Sequence, residues 1–111
     1  MIDILRDYCL AKKGVSESFP FDQHTLVFKV HQKMFALISL ERDPLQINVK
    51  CDPEKAIELR EENYQVIPGY HSNKKHWNTI VLENISIHFV KKWIDHSYDL
   101  VWQKLPKKLK E

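Results

Sequence analysis

Residues 25–50, TLVFKVHQKMFALISLERDPLQINVK, decide the fold of this chain. Apolar residues recur at every second position through three short runs, the period of an extended strand. In the first run, 25–30, Leu26, Phe28 and Val30 share a face. In the second, 33–41, Met34, Ala36, Ile38 and Leu40 share one face, while the other mixes Phe35 and Leu37 with Lys33, Ser39 and Glu41. In the third, 45–50, Leu45, Ile47 and Val49 point one way and Gln46, Asn48 and Lys50 the other. His31-Gln32 and Arg42-Asp43-Pro44 leave room only for tight turns, so the three strands pair antiparallel. One face of the sheet is apolar and needs a cover, and the other is at least partly wet.

The cover is readable on both sides of this core. Residues 2–13 place Ile2, Leu5, Tyr8 and Cys9 on one helical stripe, with Gly14 where a left-handed cap belongs. The next residues, VSESFPFDQH, read as a loop or a short edge strand, because Pro20 cannot donate to a ladder. Asp52-Pro53-Glu54 opens a second helix, with Asp as N-cap and Pro at the first helical position, running to about Asn63 with Ala56 and Leu59 inward. Tyr64 to Ile67 and Trp77 to Leu82 read as two further strands. Ser86 caps the last helix, which runs to about Lys104 before Pro106. Its buried side is Phe89, Val90, Trp93, Ile94, Ser97, Leu100 and Val101, with Lys91, Lys92, Asp95, His96 and Asp99 facing out. The expectation is an α+β two-layer sandwich, an antiparallel sheet with helices on one face, in the order α-β3-α-β2-α.

At 111 residues the chain is expected to be one domain, 1–111, ending in a basic tail at 104–111. Lys104, Lys107, Lys108 and Lys110 against Glu111 hold the charge excess. Positions 1–103 carry 13 basic and 14 acidic residues, a net of −1, against +2 for the whole chain. Two glycines exclude a Gly-rich phosphate loop. The first residues, MIDILRDYCLAKK, have the charges of no secretory leader, and no apolar run reaches membrane-spanning length. A cytoplasmic location is expected, with Cys9 and Cys51 as two buried thiols and no disulfide.

The chemistry concentrates in residues 68–79, PGYHSNKKHWNT. His71 and His76 lack a third and fourth ligand nearby, which argues against zinc. No carboxylate stands close in sequence to orient either histidine, which argues against general-base catalysis. Two lysines, two histidines and two asparagines all donate to phosphate oxygens, and Tyr70 and Trp77 offer aromatic faces. Set against this, Trp77 suits a core, Asn73 and Asn78 suit turn-stabilising bonds, and Lys74-Lys75 suits a solvated tip.

The stretches FPFDQHTLVFKVHQKMFALISL, INVKCDPEKAIELREE, PGYHSNKKHWNTI and HSYDLVWQKLPKK resemble the MmcQ/YjbR family nearly end to end. Ser72 stands where that family commonly has Met, and LENISIHFV replaces a more usual Gly-containing turn. The resemblance implies a fold similar to type III secretion chaperones and loosely to frataxin-like proteins. It also implies DNA binding through a "double wing" of the sheet. The family's signature falls on Pro68, Gly69, Tyr70, His71, Asn73, Lys74, Lys75, His76, Trp77, Asn78 and Thr79.

The expected contact residues are therefore His71, Asn73, Lys74, Lys75, His76, Trp77 and Asn78, with Lys74 and Lys75 on the backbone phosphates and Trp77 anchoring the loop in the core. Lys33 and Lys50 are candidates to extend a basic strip, with ordinary solvated lysines as the alternative. Tyr98, in the run Ser97-Tyr98-Asp99, is expected to pack the last helix on the sheet with its hydroxyl near the 68–79 stretch. No catalytic residue, metal or cofactor is expected. DNA or a protein is the expected partner, no membrane is, and the chain is expected to be a monomer or homodimer. The alternatives are a protein-interaction module using Phe35 and Leu37, and a small-ligand binder using His71 and His76.

Overall fold

The computed structural model describes residues 1–69 and 73–110. Its elements in chain order are α1 (Ile2–Leu10), β1 (Val15–Ser18), β2 (Thr25–Val30), β3 (Lys33–Ser39), β4 (Gln46–Lys50), α2 (Pro53–Glu62), β5 (Val66–Pro68), β6 (Trp77–Val81) and α3 (Ile87–Gln103), followed by a 3-10 turn over Lys107–Lys110. The strands pair antiparallel in the order β1-β2-β3-β4-β6-β5. The fold is α+β, as its sequence suggests, but its order is α-β4-α-β2-α. Four strands precede α2, because Val15–Ser18 forms the edge strand β1, paired from Val15↔Val30 to Ser18↔Val27. VSES has one apolar residue and no readable period, so β2 sets its pairing.

The register explains why one face is dry. Leu26, Ile38, Ile47, Ile80 and Val66 lie side by side across five strands. With Phe28, Ala36 and Val49 they form the floor of the main core, capped by Leu5 and Cys9 of α1, Ala56 and Leu59 of α2, and Val90, Trp93, Ile94 and Val101 of α3. A separate small cluster of Val27, Leu37 and Trp77, with Met34 against it, lies on the opposite face and includes no helix residue. Both thiols are buried and unpaired; burial pushes Cys9 up to about 12 and Cys51 to about 11.

One extra residue in β3 changes what each face presents. The pairing runs from Thr25↔Ser39 to Phe28↔Ala36, then resumes at Lys29↔Met34, so Phe35 has no partner on β2. This is a β-bulge. It turns Phe35 into the main core, fully buried and edge-on to Tyr98 with ring centroids 5.4 Å apart. Met34 moves to the open face. Strict alternation assigns these two residues the other way round, and the bulge is the reason for the difference. The bulge also ends the β3–β4 ladder at Ala36↔Val49. Beyond that point the Ser97 hydroxyl of α3 accepts from the Lys50 N–H at 2.8 Å and donates to the Phe35 carbonyl.

The turn between β2 and β3 is made by His31 and Gln32 with φ of 46° and 72°. Such left-handed pairs are usually left to Asn and Gly. The His31 imidazole leans on the backbone of Gly14, itself at φ 76°, where a Cβ would come within 2.8 Å of the ring. On its other side the ring stands 6.1 Å from Trp102.

Three polar side chains of α3 tie down the other helices. Asp95 accepts from the Tyr8 hydroxyl at 2.7 Å and pairs with Lys12. The Tyr98 hydroxyl, expected near the 68–79 stretch, instead donates to the Lys13 carbonyl at 2.6 Å, beyond the end of α1. His96 Nε2 accepts from the Asp52 N–H at 3.2 Å. Asp95 and His96, expected on the solvent face, are thus half-buried latches to α1 and α2. Burial, with Lys55 adding repulsion, holds the His96 imidazole below its usual value of 6.5.

Two outcomes follow from this bonding. Ser97→Ala removes the partner of two backbone groups, and each buried group left unpaired costs about 1–3 kcal/mol. The urea midpoint should fall accordingly with an unchanged slope. For His96 the folded pKa is lowered, so the unfolded chain binds the extra proton first. The contribution is complete above the ordinary value of 6.5 and declines as pH falls below it. His96→Gln keeps an acceptor that does not titrate, so its loss of stability on going from about pH 7 to about pH 5 should be smaller than that of the parent chain.

Candidate functional site

The turn ahead of β6 is organised by one asparagine. The Asn73 carbonyl accepts from His76 N at 3.0 Å and Trp77 N at 2.9 Å, and its side-chain oxygen accepts from Lys75 N at 3.0 Å. Gly69 N donates to the Trp77 carbonyl at 3.0 Å, so close that a Cβ on Gly69 would meet Trp77 Cβ at 2.9 Å. The Cys51 N–H donates to the His76 carbonyl at 2.7 Å, fixing this turn to the end of β4. Arg60 of α2 reaches the Lys74 carbonyl at 3.3 Å and the Asn78 side-chain oxygen at 2.8 Å.

These bonds sort the candidate contact residues by position. Asn78 is 1% exposed and faces α2, where its amide also donates to the Ala56 carbonyl. Asn73 is exposed, with its side-chain oxygen accepting within the turn. Lys74 and Lys75 are exposed at the tip, and His76 is half-buried. Trp77, 9% exposed, lies on the open face. Tyr70, His71 and Ser72 lie outside the described residues, and with them the expected role of His71.

The open face brings three lysines together around Trp77. Lys33 begins β3, Lys50 ends β4 opposite Trp77 in the ladder, and Lys104 follows the last turn of α3. They rim a hollow of about 410 Å³ whose other walls are Met34, Trp77, Val101, Leu105 and Pro106. A second, smaller hollow of about 160 Å³ shares Lys50, Trp77 and Lys104 and adds Asn73 and His76. Lys50 is held below the usual lysine range, first by burial and then by repulsion from Lys104 and Lys33. Among the described residues none of the three stands in an ion pair; the pairs are Arg6–Glu17, Lys12–Asp95 and His24–Glu41. Lys104 reads from sequence as the start of a tail, yet it continues the stripe of Ser97 and Val101 at helical spacing, and that stripe is what aims it at the sheet.

This arrangement suits an anion. Burial and the charges of Lys104 and Lys33 disfavour the Lys50 ammonium, and a phosphate beside it relieves that repulsion. It does not suit covalent catalysis by the thiols, which are buried and kept protonated. Among the described residues no three His, Cys, Asp or Glu side chains gather to hold a metal, and no helix is long and apolar enough to cross a membrane. A larger concavity, about 660 Å³, occupies the other half of the open face, but it mixes Asp22 and Glu41 with His24 and Arg42 and selects no sign of charge. The apolar patch expected from Phe35 and Leu37 is not exposed, at 0% and 7%.

The model of the YjbR family matches residues 10–100. The protein named YbdF of Escherichia coli O157:H7 is 40% identical over 92 residues, 81% of this chain and 75% of that one. YjbR of Escherichia coli strain K12 is 34% identical over 82 residues, 74% of this chain and 70% of that one. The crystal structure of Deinococcus radiodurans protein DR2400 superposes with a TM-score of 0.91 at 39% identity, covering 97% of this chain and 83% of that one. A family match over most of the chain, relatives at this identity and a shared fold lead to one assignment: the chain belongs to the YjbR family.

Proposed function

We propose that this protein binds nucleic acid through its phosphates. The observation that carries the reading is the trio Lys33, Lys50 and Lys104, gathered on an open sheet face with no carboxylate partner among the described residues. Lys74 and Lys75, exposed on the adjoining turn, extend the cationic surface. Asn73 and His76 border the smaller hollow that shares Lys50 and Lys104, and serve as hydrogen-bonding neighbours. Trp77 and Asn78 support the turn, one from each face of β6. The DNA-binding label that the family resemblance implies agrees with this reading. The body of the chain has a net charge of −1 over residues 1–103, so binding rests on a local patch and is modest in strength. Phosphate contacts of this kind carry no sequence information.

Fluorescence anisotropy with labelled oligonucleotides at several salt concentrations tests the reading. Each phosphate neutralised on duplex DNA contributes about −0.9 to the slope of log K against log salt. Lys33→Ala/Lys50→Ala/Lys104→Ala should therefore flatten the slope by about 2–3, and Lys74→Ala/Lys75→Ala by about 1–2. Absence of binding at low salt, or an unchanged slope in the triple variant, would refute the assignment.

A further inference from the structure

The two hollows beside Trp77 differ in chemistry and meet at the lysines. The larger is walled by Met34, Trp77, Val101, Leu105 and Pro106. The smaller is walled by Asn73 and His76, and the two share Lys50, Trp77 and Lys104. A ligand spanning both needs an apolar body, an anionic group at the junction and a polar remainder. The phosphate backbone of a duplex fills only the middle of this description, because its bases are stacked inside and unavailable. A nucleotide in a single strand, or at a strand end, has an unstacked base to offer. The larger hollow, at about 410 Å³, falls in the range of small-molecule sites.

We infer that this composite hollow holds one unpaired nucleotide, its phosphate between Lys33, Lys50 and Lys104 and its base in the apolar compartment formed by Trp77, Val101, Leu105 and Pro106. The inference rests on the phosphate-binding reading above and narrows it to single-stranded or terminal nucleotides. The Lys50 side chain is the central contact, since it borders both hollows, is partly desolvated and feels the charges of Lys104 and Lys33. Ser97 positions it: its hydroxyl accepts from the Lys50 backbone N–H and so sets where β4 ends. Leu105, 5% exposed and part of the main core, forms a fixed wall of the hollow beside Pro106.

The test uses AMP and ribose 5-phosphate as probes of the full chain, followed by NMR. AMP should bind saturably, with shifts concentrated at the Trp77 indole N–H and the backbone amides of Val101 and Leu105. Ribose 5-phosphate, lacking the base, should bind about tenfold more weakly or worse, the scale expected when base stacking and burial are lost. Lys104→Glu, at an exposed position, should abolish AMP binding, while Lys92→Ala, elsewhere on α3, should leave it intact. Equal affinity for the two probes, shifts confined to other surfaces, or no saturation by AMP at millimolar concentrations would overturn the inference. DNA binding that persists without AMP binding would overturn the nucleotide site and leave the phosphate reading standing. AMP binding without DNA binding would uphold the site and remove the polymer.

Discussion

The hydroxyl of Ser97 is the constraint on which both layers depend. β3 contains one residue too many for its partner, and a strand with a bulge has a backbone carbonyl that its neighbours cannot satisfy. Ser97 takes that carbonyl and, with its oxygen, the N–H of Lys50. A single side chain thus docks α3 on the sheet, accommodates the bulge and ends a ladder. An apolar residue at this depth would satisfy neither group.

From that point the two faces acquire separate tasks. The bulge commits Phe35 to the interior, where the five-strand row from Leu26 to Val66 supplies most of the floor. The same irregularity hands Met34 to the opposite face, where it joins Trp77 and Leu37. The helix that covers the interior then runs past the end of the sheet, and its last turn carries Lys104 round to the open side. The cationic hollow is therefore a by-product of how the core is closed: strand ends supply two lysines, and the covering helix supplies the third.

Much of the fold was legible because burial imposes periods. The strands at 25–50, the Asp52-Pro53 start and the Ser86 cap needed only alternation and capping chemistry, and the structure agrees with each. Three features were not legible, for separable reasons. β1 has no apolar period of its own. The bulge at Phe35 leaves a run of apolar residues on both sides, so alternation alone cannot locate the extra one. Asp95 and His96 look like an outward stripe until α1 and α2 are placed beside them. The site was legible in part. The tip at 73–77 was visible as a cationic, aromatic cluster, and Lys33 and Lys50 only as candidates to extend it, with ordinary solvated lysines as the competing reading. Lys104 was not, because its charge belongs in sequence to a tail and only the Ser97–Val101 stripe assigns it to the sheet.

The β2–β3 hairpin is closed by His31 and Gln32, each held at a dihedral angle that costs an L-residue roughly 1 kcal/mol or more. A turn of this kind does little to start the two strands pairing. What compensates lies far away in the chain: the bare backbone of Gly14 under the imidazole and the indole of Trp102 beside it. This hairpin is thus secured by segments near both ends of the chain, so an event that loosens either one would be felt at the corner where β3 begins.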